Sequence, residues 1–364
     1  MTTYLYIDDD TLQNSREKVS AIVVKDYLQI MVEQNPQVWE QQMKRLKNKD
    51  YDGLILDLKL DEMPVEDRRH AEYRGTTVAQ QVRDHQKEGS MTAFPMILFT
   101  GEENMKNALD NTGRDLFDMI IEKGSLTPKT ASVIPIQLSE LSNFYKQLNT
   151  GADARNLIKA QYYVDERFMD ALYKKQTEES IASCAHFFLN EFIMKSGLLV
   201  DEALLAARLG VDKDKTGLEW GKILSLFDDA HYNGVLGKGW NRWWMHGINE
   251  RWKSLTETNL QRMGAEDRVA LLKSILKIEG VVMATKTKYA ESDEYWAVCC
   301  GTGKPLDPID GFEVTGQETS YPWQDLRYVS KEAAFHKTKI ELWKGVASSE
   351  KERLEYLKQE YERR

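Results

Sequence analysis

The stretch Tyr51-Asp-Gly-Leu-Ile-Leu-Asp57-Leu-Lys-Leu60 constrains this chain most. Leu54, Ile55 and Leu56 form an apolar run without helical spacing, flanked by Gly53 and two acids. Such a run predicts a central strand of a parallel sheet, buried on both faces. Asp57 closes it. In doubly wound sheets, ligands collect at the carboxyl ends of the strands. Asp57 is therefore either a strand-terminating, hydrogen-bonded residue or a working carboxylate. The other strand ends have to decide between them.

The first half supplies four more such runs. Tyr4–Ile7 ends in Asp8-Asp9-Asp10, and Leu28–Val32 is stopped by Asn35-Pro36. Phe94–Phe99 ends at Thr100-Gly101, and Leu116–Ile121 ends at Glu122-Lys123-Gly124. Between them the spacing predicts helices within 12–24, 38–46, 76–85, 102–109 and 136–148, with Pro135 suited to the start of the last. Residues 61–74 are polar and aperiodic, and read as a long loop. This alternation predicts an α/β doubly wound fold with a five-stranded parallel sheet.

The strand ends then carry Asp8 and Asp9, Asp57, Thr100 and Lys123. Three carboxylates in one cleft repel one another. A hard divalent cation resolves the conflict; Mg²⁺ takes oxygen ligands and keeps several waters, so a few carboxylates suffice. A hydroxyl and an ammonium nearby suit an anion bearing several oxygens. Together these groups describe phosphoryl transfer onto a carboxylate, with metal and lysine neutralising the developing charge.

These residues, in this order and at these strand ends, resemble the receiver domain of two-component response regulators over residues 1–148. The resemblance implies a flavodoxin-like receiver with Asp57 as phosphoacceptor. It implies that Asp8 and Asp9 hold Mg²⁺ together with Asp57 and the main-chain carbonyl of Lys59. Lys123 is then the group that binds a phosphoryl oxygen, and Thr100 the switch hydroxyl. A histidine kinase is the implied partner. Two positions depart from the pattern: Ile120 stands where an aromatic residue is usual, and Gly124 where a proline follows the lysine. Both put the standard relay of phosphorylation in doubt, while the chemistry is untouched. The long loop after Asp57 and the run Tyr73-Arg-Gly75 resemble a receiver subgroup of bacterial signalling and phage-defence operons. A flavodoxin-like fold with coincidental acids is the alternative.

At 364 residues the chain has room for two domains, and we expect them at 1–150 and 151–364. The second half reads as mainly helical: 153–174, 180–195, 198–209, 216–230, a tryptophan-rich helix over 240–252, 266–278, 331–344 and 348–364. A small β or irregular insertion interrupts it, with a strand at Tyr295–Cys300 and another at Phe312–Val314. Residues 1–149 hold 18 basic and 24 acidic side chains, and the remainder 31 and 34, within a net charge of -9. Neither half is basic, which argues against indiscriminate nucleic-acid binding. No apolar run is long enough to span a membrane, the first residues do not form a signal peptide, and three cysteines make no disulfide framework. A cytoplasmic protein is expected.

Several motifs in the second half invite a function and have a plainer reading. Gly301-Thr-Gly303-Lys304 lacks the spacing of a phosphate loop and reads as a turn. Cys299 and Cys300 alternate on a strand, so a zinc site with His336 is disfavoured. His186 sits among apolar neighbours and reads as structural rather than a phosphotransfer histidine. Trp240, Trp243, Trp244 and Trp252, with Arg242 and Arg251, read as core before interface. The expected function is a response regulator signalling through protein contacts with an effector or as a homodimer, including a phosphate-sink role in phage defence. A receiver-gated effector enzyme, marked by a polar pocket near 299–311, is the alternative. A transcription regulator comes third, since no basic recognition helix is present.

Overall fold

The computed structural model describes all residues except 35–37, 49, 62–69, 102–110 and 363–364. The expected helix at 102–109 and most of the expected loop at 61–74 lie outside the described residues. The described residues form two compact units. The first comprises Met1–Ala160, Phe168–Ile193 and Asn233–Trp240; the second comprises Gln161–Arg167, Met194–Tyr232 and Asn241–Arg364.

The first unit is built on five parallel strands: β1 (Thr2–Asp8), β2 (Leu28–Gln34), β3 (Gly53–Leu56), β4 (Met96–Thr100) and β5 (Met119–Glu122). Between and after them run α1 (Leu12–Ser20), α2 (Trp39–Lys47), α3 (Gly75–Lys87), the short α4 (Asn111–Arg114) and α5 (Pro128–Asn149). The strand order is β2-β1-β3-β4-β5. Every residue of β3 and β4 is buried, as expected where helices cover both faces of a parallel sheet. Leu5, Ile7, Leu54, Leu56, Met96 and Leu98 form one core with Val78 and Val82 of α3. Their alternation with Tyr4, Tyr6, Ile55 and Ile97 is the two-residue period of a strand.

The last helix of the sheet layer differs from its expected start. It begins at Pro128, not near Pro135, because Thr127 caps it and forms a reciprocal capping box with Thr130. Pro135 lies buried inside the helix. The first unit also extends beyond 150. The helix Ile181–Phe188 belongs to it, with Phe188 meeting Phe144 of α5 at 4.9 Å between ring centroids. The sheet end remote from Asp57 is pinned by a buried pair. Arg83 Nη2 donates to Asp118 Oδ2 at 2.8 Å, and Tyr145 Oη donates to Asp118 Oδ1 at 2.7 Å.

The second unit is helical with three two-stranded ribbons, and it corrects several sequence expectations. Leu199-Val200 is a strand, paired antiparallel with Trp243-Trp244, so helix Glu202–Arg208 starts later than expected. Of the four tryptophans expected on one helix, only Trp252 lies in Met245–Thr256. Paired aromatic and β-branched residues favour the ribbon. All four are buried, so no exposed apolar patch forms at Trp243 or Trp244. The expected strand at 295–300 is shorter: Ala297-Val298 pairs with Pro305-Leu306, and Gly301–Lys304 is the turn between them. Gly311–Glu313 pairs with Tyr328–Ser330. The helix expected at 331–344 is broken in two where Lys337 and Lys339 adopt positive φ.

Gly75 couples the fold to the Asp57 strand end. Its N–H donates to Leu58 O at 3.0 Å, and a Cβ there would overlap the carbonyl oxygen of Asp57. Gly75→Ala is therefore expected to cost about 1–3 kcal/mol. The change should lower the urea midpoint at unchanged slope. An unshifted midpoint would mean that α3 does not start against that peptide.

Candidate functional site

Parallel register brings the carboxyl ends of the central strands together. Ile7 of β1 pairs with Leu56 of β3, Leu56 with Leu98 of β4, and Thr100 of β4 with Glu122 of β5. Asp8 and Asp9, Asp57, Thr100 and Lys123 therefore occupy one edge. Asp57 is held there by its N–H, which donates to Ile7 O at 3.0 Å. Carboxylate oxygens of Asp8, Asp9 and Asp57 all lie within 4.8 Å of one another, and all three residues are buried. They are the one such acidic, histidine or cysteine cluster among the described residues.

Two ammonium groups compensate this charge. Lys123 Nζ stands 3.2 Å from Asp57 Oδ1 and 3.6 Å from Asp8 Oδ2, over the Phe99 ring at 5.4 Å from its centroid. Lys18 Nζ, from α1, stands 3.0 Å from Asp8 Oδ2 and 2.9 Å from Asp10 Oδ2. Tyr6 Oη also donates to Asp8 Oδ2, and Asp10 N donates to Asp8 Oδ1 at 3.1 Å. Tyr6 is two residues before Asp8, on the same face of β1.

The environments push the carboxyls apart. Burial raises Asp57 to about 6; Lys123 opposes the rise and Asp8 adds to it. Asp8 is also penalised by burial, but Lys123, Tyr6, Lys18 and the Asp10 N–H together hold it below the usual carboxylate range. Asp10, hydrogen-bonded to Lys18 and to Asn14, falls to about 2. A raised acid beside a lowered one marks a site arranged for chemistry or for a ligand.

Two buried polar atoms await a partner. Asp57 Oδ1 has its ion pair with Lys123 but no well-directed hydrogen bond, and Thr100 Oγ1 has no hydrogen-bond partner among the described residues. An orphaned buried acceptor in a set of three hard oxygen donors fits a hard divalent cation. The sequence-expected residues Asp8, Asp9, Asp57, Thr100 and Lys123 are thus placed at one edge. Lys59, two residues past Asp57, is half-buried in the following loop. Ile120 is half-buried against the core, and Gly124 lies in the turn Lys123–Ser125. Sequence reasoning passed over Tyr6, Asp10 and Lys18. The strand period could have found Tyr6, whereas Lys18 becomes visible only when α1 folds back over the strand end.

The strand order of the first unit is the flavodoxin-like order that receivers share. The five parallel strands with their flanking helices match a receiver fold. No family model matches the chain, and no curated protein matches it. The solved structures similar to its N-terminal part include response-regulator receivers. The REC domain of AraT, a response regulator from Geobacillus stearothermophilus, is 17% identical, covering 38% of this chain and 93% of that one at a TM-score of 0.28. The signal receiver domain of a DNA binding response regulator from Colwellia psychrerythraea is 16% identical, covering 37% and 95% at 0.26. A complex of the histidine kinase ThkA with the response regulator protein TrrA gives 20% identity, 37% and 96% coverage, and 0.26. Among the described residues no helix is long and apolar enough to cross a membrane.

The raised Asp57 makes a pH prediction. An acid raised by folding favours the folded state while protonated. That contribution is full below the ordinary value of 3.8 and is lost as pH rises through about 6. Asp57→Asn cannot ionise. In chelator-containing buffer it is expected to exceed the native chain by about 1–3 kcal/mol near pH 7.5, with the gap closing as pH falls toward about 4. Denaturant unfolding at several pH values measures this. A gap independent of pH would show that Asp57 ionises at no cost.

Proposed function

We propose that this protein is a two-component response regulator whose Asp57 accepts a phosphoryl group from the phosphohistidine of a histidine kinase. One observation carries the reading: three buried carboxylates converge within 4.8 Å, with Lys123 at 3.2 Å from Asp57. A carboxylate oxygen of Asp57 attacks phosphorus, the O–P bond forms as the N–P bond breaks, and the imidazole leaves. Asp57 must be ionised to attack, and its raised pKa makes neighbouring positive charge a condition of reactivity. Asp8, Asp9, Asp57 and the carbonyl of Lys59 would hold Mg²⁺, which would supply that charge and neutralise the phosphoryl oxygens. Lys123 pairs with a phosphoryl oxygen in place of the Asp57 carboxylate. The unpartnered Thr100 hydroxyl turns to another, which gives the phosphorylated state a contact the free state lacks.

The output we propose runs through protein contacts, with an effector partner or a second copy of the chain. A phosphate-sink role and an antiviral setting are the particular forms the family resemblance suggests. A second reading, a receiver-gated effector enzyme, is favoured by a cavity of about 310 Å³ within the second unit. Arg208, Trp296, Cys300, Gln317, Asp325 and Arg327 are among its lining residues. It adjoins the 299–311 loop and offers both apolar and polar groups, the mix expected of a small-molecule site.

With Mg²⁺ and a small phosphodonor, the chain is expected to gain the mass of one phosphoryl group, in a base-labile linkage. Asp57→Asn should gain none. Lys123→Ala should be phosphorylated about 10²-fold more slowly, the loss expected for one charge-stabilising group. Intact-protein mass spectrometry over time checks both. An unmodified native chain at saturating Mg²⁺ would contradict the reading.

A further inference from the structure

Asp8 is more heavily engaged than a carboxylate waiting for a metal ion should be. Its Oδ2 accepts from Tyr6 Oη and from Lys18 Nζ at 3.0 Å, with Lys123 Nζ a further 3.6 Å away. Its Oδ1 accepts from Asp10 N at 3.1 Å. Two donors already fill the directions of Oδ2. A cation that binds Asp8 through this oxygen must displace a donor. Tyr6 is buried in the sheet and packed edge-on against Phe99, with ring centroids 5.7 Å apart. Lys123 is committed to Asp57 at 3.2 Å. Lys18 differs: it sits in the last turn of α1 and its side chain is 30% exposed, so its ammonium has a route to water.

We propose that Lys18 is a built-in competitor for the divalent cation, holding Asp8 until the ion displaces it. This deepens the phosphoacceptor reading and rests on it, since it concerns the cation of the same site. The geometry supports an exchange: a cation arriving at Oδ2 meets the Lys18 ammonium 3.0 Å away, and the two like charges repel.

Asp10 keeps the exchange local. Its Oδ2 holds Lys18 at 2.9 Å, while its Oδ1 accepts from Asn14 Nδ2 at 2.9 Å and Thr11 N at 2.7 Å. This anchored carboxylate retains the displaced ammonium beside the site, ready to return at high effective concentration when the ion leaves. Lys18 is thus a residue that sets cation affinity. It keeps the acidic cluster stable in the cation-free protein, at the expense of weaker cation binding.

Two readouts on the full chain test this. Mn²⁺ serves as the probe, because the electron paramagnetic resonance signal of the free ion reports how much is bound. Lys18→Met should bind Mn²⁺ about tenfold more tightly than the native chain, and Lys18→Arg, which keeps the charge, much less so. Asp9→Asn should weaken binding in either background, which locates the ion in the acidic cluster. Separately, amine acylation mapped by mass spectrometry should show Lys18 in the native chain becoming more reactive on saturation with Mg²⁺, with distant lysines unchanged. This second readout needs no variant to fold. Equal Mn²⁺ affinity in native and Lys18→Met chains, or Lys18 reactivity unmoved by Mg²⁺, overturns the competitor while leaving the phosphoacceptor reading in place. No Mn²⁺ bound by either chain overturns both.

Discussion

Mutual repulsion among Asp8, Asp9 and Asp57 is the constraint around which the first unit is arranged. Three buried carboxylates within 4.8 Å are unstable in a protein interior unless positive charge is brought to them. The parallel sheet places them there by register, and Lys123 and Lys18 answer them from the turn after β5 and from α1. The answer is uneven. Asp8 is held ionised by several donors, while Asp57 keeps a raised pKa and an acceptor oxygen without a well-directed hydrogen bond. On the proposed reading, that asymmetry is what leaves Asp57 to act as the acceptor. The hydroxyl of Thr100, without a hydrogen-bond partner among the described residues, is the group that a phosphoryl oxygen would then engage.

Much of the first unit could be read from its residues, for a physical reason. Strands buried on both faces are written as unbroken apolar runs, and in a doubly wound sheet the residue after each run faces the site. Asp8, Thr100 and Lys123 follow from that rule together with Asp57. The misses have physical causes too. Pro135 looked like a helix start because proline favours first turns, but the Thr127–Thr130 capping box starts the helix a full two turns earlier. Trp243-Trp244 looked helical by spacing, yet cross-strand pairing with Leu199-Val200 prevailed. Lys18 was invisible because its partner is set by the packing of α1, not by any pattern along the chain.

The second unit shows where residue patterns stop informing function. Its buried arginines are structural ties: Arg268 donates to the carbonyls of Leu260, Arg208 and Tyr295, and Arg208 pairs with Asp325 at 2.7 Å. Lys331 and Asp310 form a further buried pair at 2.8 Å, with Asp310 also accepting from Glu291 N and Ser292 N. These contacts hold irregular chain where regular elements are short. They explain why a stretch rich in turns is nonetheless ordered, and they leave the cavity at Arg208 and Trp296 as the feature through which an activity of its own would act.

The claim on which the account turns is the identity of the acceptor. Borohydride reduction of an acyl phosphate converts the aspartate to homoserine, so treatment of the chain after incubation with Mg²⁺ and a phosphodonor records which carboxylate was modified. Peptide mapping is predicted to find homoserine at position 57 alone. Homoserine at Asp8 or Asp9, or at no position in a chain that has demonstrably bound the cation, would contradict it.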